Sequence, residues 1–130
     1  MATTRRGRSR PETAHPRRGE IYLTALGPAL GREIQKTRPA LVIQNDVSNR
    51  LSGITIVAPI TSTVRFPLNP VHVLLAADEH TGLAVTSVAL LNQTRAIDRV
   101  RLINRLGAID ARTMLQVDEA IRISLGLVAL

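Results

Sequence analysis

Residues 40–62, ALVIQNDVSNRLSGITIVAPITS, decide the fold. They hold two apolar stretches, 40–43 and 54–60, with polar residues between them. Pro39 stands before the first stretch and Asn45-Asp46 closes it. In the second, Ile, Thr and Val fill most positions, and branching at Cβ favours the extended, pleated chain over a helix. Both runs are too short for an ordinary helix and are bounded by turn formers, so both read as strands. The second ends in Thr61-Ser62, two hydroxyls placed where a strand leaves the core.

The same pattern extends in both directions. Residues 21–23 begin an earlier strand. Residues 71–75 and 87–91 follow, with a polar turn containing Gly82 between them, and 95–98 and 105–109 complete the series. Several short strands at this spacing, without intervening helices, predict a small antiparallel sheet closed as a barrel. The period then changes. Asp110 can cap a helix from Ala111 to about Ser124, in which Met114, Val117, Ile121 and Leu125 recur at three- and four-residue steps. Gly126 follows as a stop. The expected class is mainly β with one C-terminal α-helix, forming one domain in a chain of 130 residues.

Composition excludes several function classes. Tyr22 and Phe66 are the only aromatic residues, so a platform that stacks successive bases is not expected. With no cysteine there is neither a disulfide framework nor a thiolate metal site. His15, His72 and His80 lack ligand spacing, and the carboxylate pairs Asp78-Glu79 and Asp118-Glu119 read as solvated surface. No metal or other cofactor is expected.

The formal charge of +7 is unevenly spread. Residues 1–18 hold six arginines against Glu12, which is +5, and residues 19–130 hold eleven Lys/Arg against nine Asp/Glu, which is +2. Residues 1–16 show no apolar periodicity and are read as a disordered basic arm, with the domain proper at 17–130. Arg17-Arg18 before IYLTALGPALG imitates an export signal, but Glu20 and Pro28 interrupt it. A cytoplasmic protein with no membrane span is expected.

Candidate functional residues gather at the strand ends. The connection 26–37, LGPALGREIQKT, is long for a hairpin and carries Glu33 and Lys36 directly before Arg38. Asn92-Gln93-Thr94-Arg95 interrupts another apolar run and reads by pattern alone as a hairpin turn. His72, in PVHVLL, reads as a structural strand residue within an apolar alternation.

Six segments together carry a resemblance. RGEIYL (18–23), P-x-x-G-x-E-x-x-K-x-R-P (28–39), ALVIQND (40–46), IVAPITS (56–62), SVALLNQTRAID (87–98) and VDEAIRISLGL (117–127) closely resemble the MazF/PemK toxins, in that family's order. The resemblance covers residues 17 to about 127 and implies a CcdB/PemK-like, SH3-like barrel with a C-terminal helix, acting as a homodimer. It also implies metal-independent cleavage of single-stranded RNA at short sequences, restrained by an antitoxin. The family's catalytic arginine falls on Arg38 and its catalytic threonine on Thr61. Glu33 falls in the loop that closes over substrate, and Ser87 and Gln93 match base-binding positions. Arg32, Thr94 and Ala96 depart from the usual choices and bear on which RNA sequence is read.

Cleaving RNA without metal uses the 2′-OH as internal nucleophile. Arg38 suits the stabilisation of phosphorane charge, because a guanidinium presents forked donors matched to phosphate oxygens. Arginine stays protonated in neutral water, so it is a poor proton acceptor and the base stays open. Thr61 is expected to donate to the same phosphate, Lys36 to meet phosphate, Gln93 to read a base edge and Ser62 to line the RNA path. The partner expected is a small antitoxin with an acidic segment. A CcdB-like topoisomerase poison is the rival on the same fold, but it relies on a tryptophan near its C-terminus, and this chain has none. A catalytically inactive nucleic-acid-binding module is the other.

Overall fold

β3 (Ile54–Thr61) is the longest strand and organises the sheet. Along one edge it pairs with β2 (Thr37–Val42), Ala40 lying opposite Pro59 and Val42 opposite Val57. Its other edge is shared. β6 (Arg95–Asp98) pairs with the first half, Ile54 to Val57, and β5 (Ser87–Leu90) with Ile60 and Thr61. β4 (His72–Leu75) flanks β5, while β1 (Glu20–Ala25) joins β2 to β7 (Leu102–Ala108). Every pairing is antiparallel, in the order β4-β5-β3-β2-β1-β7. This computed structural model describes residues 14–27 and 36–129. The expected arm therefore lies outside the described residues as far as residue 13. Of its remainder, Pro16 is buried and the Ala14 carbonyl accepts from Arg99 Nη2 at 3.0 Å.

Pleating sorts side chains onto two faces. Ile21, Leu41, Ile60, Leu75 and Ala89 meet on one, where Val117 and Ala120 of α2 (Ala111–Ser124) join them. Tyr22, Ala40, Val42, Val57 and Ile97 cluster on the other. The central strands thus bury both faces, which is why 40–43 and 54–60 read as continuous apolar runs. Helix α2 has the predicted bounds, and Asp110 Oδ1 accepts from the Thr113 amide at 2.8 Å. Val117 is fully buried, a contribution of about 1.5–3 kcal/mol. Leu125, expected in the apolar stripe, is instead 66% exposed, because the helix ends one residue earlier. Gly126 follows with φ 73°, in keeping with its predicted stop.

Two expectations are corrected. The strands are not free of intervening helix: α1 (Asp46–Leu51) stands between β2 and β3. Asn45, read as a turn former, is its N-cap, accepting from Ser48 N at 2.8 Å. Fewer than two turns leave no periodicity to detect. What anchors α1 is Asn49, fully buried, whose Oδ1 accepts from Thr55 Oγ1 at 2.7 Å and Gln44 Nε2 at 2.9 Å.

The second correction concerns closure. The sheet does not close strand to strand: β4 and β7 are the two ends of the path among the described residues. A turn bridges toward β7, with Ala108 N donating to the His80 carbonyl at 2.9 Å. β4 is only four residues long, and beyond it Asp78 Oδ1 accepts from the amides of His80 and Thr81, curling the chain away from a ladder. The approach is close enough to require glycine. A Cβ on Gly82, at φ 70°, would lie 2.0 Å from the Leu106 carbonyl oxygen.

Candidate active site

The register builds the site. Thr24 lies opposite Arg38 on β2, and Thr61 opposite Val88, which itself faces Leu74 on β4. Continuing the β2–β3 register two residues beyond Ala40 and Pro59 sets Arg38 across from Thr61. One row on one face therefore runs Thr24, Arg38, Thr61, Val88, Leu74. The next row over ends with Leu90 opposite His72.

These rows floor an open cavity of about 630 Å³. Arg38, Thr61 and Ser62 line it with Val88 and Leu90, and the β3–β4 connection adds Thr63, Arg65, Pro67, Leu68 and Asn69. Two arginines and no carboxylate stand among its described lining residues, so the cavity favours an anion. The Thr61 hydroxyl has a defined polarity. Its oxygen accepts from the Thr63 amide at 3.2 Å, which leaves its hydrogen to donate into the cavity. Arg38 is half-buried, so its charge works against a partly desolvated wall.

Other sequence-derived candidates lie elsewhere. Glu33 is outside the described residues. Lys36 is exposed at the neck of the connection, with φ 72°, and does not line the cavity. Its amide donates to the Gly27 carbonyl, and its own carbonyl accepts from Leu26 N, both at 3.0 Å. Gln93 is half-buried in the turn after β5, where β3 exchanges β5 for β6, and is also outside the lining. Ser87 is not brought to the cavity either. By strand parity it shares the helix-side face with Ala89, and its buried hydroxyl donates to the Val85 carbonyl at 2.8 Å.

His72 moves the other way. It is a strand residue as read, but it faces the cavity while its neighbour Val73 faces the core. The parity of β4 carried that signal, since 73 and 75 must be core and 72 and 74 must not. Arg65 and Asn69 could not be found from pattern, because they stand in an irregular connection. Among the described residues no three His, Asp or Glu side chains gather as a metal-ligand set.

Residues 17–125 match the family described as PemK-like, MazF-like toxin of type II toxin-antitoxin system. The chain belongs to this family. It is 43% identical over 112 residues to Endoribonuclease EndoA of Bacillus subtilis (strain 168), a match covering 86% of this chain and 96% of that one. To Endoribonuclease MazF of Staphylococcus epidermidis it is 40% identical over 111 residues, 85% and 92% of the two chains. Among solved structures, MazF from Deinococcus radiodurans superposes with a TM-score of 0.72 at 28% identity, over 87% of this chain and 98% of that one. A MazE-MazF structure from the same organism gives 0.66 at 27%, with the same coverage. The fold of this PemK/MazF-family chain is accordingly mainly β with a C-terminal helix, and among its described residues no helix is long and apolar enough to cross a membrane.

Proposed function

We propose that this chain is the toxin of a type II toxin–antitoxin system and a metal-independent, sequence-specific endoribonuclease acting on single-stranded RNA. The observation that carries the site assignment is Arg38 and Thr61, at the ends of neighbouring strands, lining one cavity with no carboxylate among its described lining residues. In the reaction the 2′-oxygen attacks phosphorus, its proton passes to a base, and the bond to the 5′-oxygen breaks. That oxygen takes up a proton, leaving a 2′,3′-cyclic phosphate and a 5′-OH.

Arg38 and Thr61 act on the non-bridging oxygens. Negative charge grows there as phosphorus becomes five-coordinate, and a fixed guanidinium and hydroxyl meet it without reorganising. Strands lie about 4.8 Å apart, so both donors reach one phosphate. His72 stands two strands and two residues from Thr61, about 12 Å between Cα atoms. Its ring therefore serves a flanking nucleotide rather than the scissile phosphate. Ser62, Arg65 and Asn69 border the same path, Lys36 and Gln93 contact RNA outside this lining, and Glu33 binds RNA as the family resemblance implies.

RNA is read in single strands through base edges, which suits a cavity with polar walls and no Phe, Tyr or Trp in its described lining. The natural inhibitor is an antitoxin whose acidic segment occupies this basic cavity, the working unit is a homodimer, and the setting is the cytoplasm. Incubating the protein with mixed single-stranded RNA in EDTA and mapping the ends tests the reading. Discrete fragments with 5′-OH ends are expected. Intact RNA, or cuts at every sequence, refutes it.

A further inference from the structure

Two arginines distant in sequence converge on the backbone that leads into Arg38. Arg95 Nη1 donates to the Leu26 carbonyl at 3.0 Å, across 69 residues, and Arg101 Nη1 to the Ala25 carbonyl at 3.1 Å, across 76. Arg101 also lies against bare backbone, since a Cβ on Gly27 would sit 3.3 Å from its Nη1. These carbonyls belong to the end of β1 and the residue after it, where the chain enters the 28–35 connection.

The opposite side of that neck is Lys36. Leu26 N donates to its carbonyl and its amide donates to the Gly27 carbonyl, each at 3.0 Å. Gly27 and Lys36 both hold positive φ, 76° and 72°. For lysine that conformation carries a steric cost and persists only where the surroundings over-determine it. Ala25 then pairs with Thr37 and Thr24 with Arg38. A shift at Ala25 or Leu26 is therefore handed within two residues to the arginine facing Thr61.

We infer that Arg95 and Arg101 are positioning residues: a guanidinium clamp that holds the neck at Leu26 and Lys36 and thereby sets Arg38 against the scissile phosphate. A charged donor on a carbonyl makes a stronger bond than a neutral one, and two from different segments fix the neck in two directions. The clamp also ties β6 and the turn before β7 to the end of β1. The consequence for cleavage rests on the endoribonuclease reading, but the clamp itself does not.

The rival role for a basic side chain here is direct contact with RNA phosphate, and the test separates the two. Arg95→Met and Arg101→Met keep the apolar stems and remove the donors; Arg101 is exposed, so its variant folds even if the other does not. Amide hydrogen exchange without RNA reads the clamp directly. Exchange at Leu26 and Lys36 is expected to speed up about tenfold or more in each variant. Single-turnover cleavage at saturating enzyme is expected to slow about 10- to 100-fold, the usual effect of misplacing a reacting group by about 1 Å.

The salt dependence of RNA binding should not change. Loss of a phosphate contact would instead reduce the slope of log K against log salt by about 0.7 on a single strand. A reduced slope or unchanged exchange overturns the clamp, and faster exchange at an unaltered cleavage rate overturns its positioning of Arg38. If the wild-type protein cleaves no RNA, the functional reading fails, and amide exchange still decides whether the clamp exists.

Discussion

Consider removing the two donors singly and together. Arg38→Ala deletes one preorganised charged donor, and such losses typically cost ~10²–10³ in rate, about 2.7–4 kcal/mol. Thr61→Val keeps the shape of the side chain and removes one hydroxyl. A hydrogen bond to a charged group contributes about 1.5–3 kcal/mol, which corresponds to roughly 10- to 150-fold. Independent contributions would multiply to ~10³–10⁵. The structure says they are not independent. Arg38 and Thr61 line one cavity from the ends of paired strands about 4.8 Å apart, inside the ~7–10 Å beyond which substitutions become additive. Once the guanidinium is gone the phosphate is no longer held where Thr61 can reach it.

The double variant is therefore expected to fall within about tenfold of Arg38→Ala, an interaction energy of about 1–3 kcal/mol. Thr61→Ser, which keeps the hydroxyl, should stay within about threefold of wild type. The assay is single-turnover cleavage of end-labelled RNA in EDTA with enzyme in excess, each variant first checked for wild-type circular dichroism. A double variant slowed by the full product of the single losses, or Thr61→Val at the wild-type rate, refutes the shared-phosphate geometry.

Gly82→Ala should destabilise the fold by about 2–5 kcal/mol in urea titration, combining left-handed strain with a Cβ driven into the Leu106 carbonyl. Glu20→Ala is expected to cost about 1.5–3 kcal/mol, because its buried carboxylate accepts from Arg17 N and Arg105 Nε at 2.7 Å and from Tyr22 Oη at 3.1 Å; an unchanged urea midpoint would count against that network. The amide of Thr81 above all, helped by that of His80, holds the Asp78 carboxyl below its ordinary 3.8, and the Thr113 amide does the same for Asp110. Depressed folded values mean that both contribute stability above 3.8 and lose it as pH falls through them. Stability should thus decline below pH 3.8, and less steeply in Asp78→Asn; parallel curves would exclude Asp78 as a source.

Much of the fold was legible from residue order alone. Short β-branched runs between Pro, Gly and Asn are local facts, and so is the three- and four-residue step of Met114, Val117 and Ile121 after a capping Asp110. Local physics sets them, so all seven strands and α2 stood near their predicted places. The motifs around Arg38 and Thr61 singled them out, and both line one cavity. Helix α1 was not, because six residues are held by the buried amide of Asn49 rather than by a periodic apolar face.

What only the tertiary structure decided is which strand ends meet. Parity alone separates Ser87 from Val88 by one residue, yet the register of β5 against β3 is what turns Val88 toward Thr61 and Ser87 toward the helix side. Tertiary packing likewise brings His72 and Arg65 into the cavity with Arg38, and carries Arg95 and Arg101 back to the neck at Leu26. Sequence determined the elements because propensity and period act over a few residues. The site had to wait for register, which is set by packing between segments dozens of residues apart.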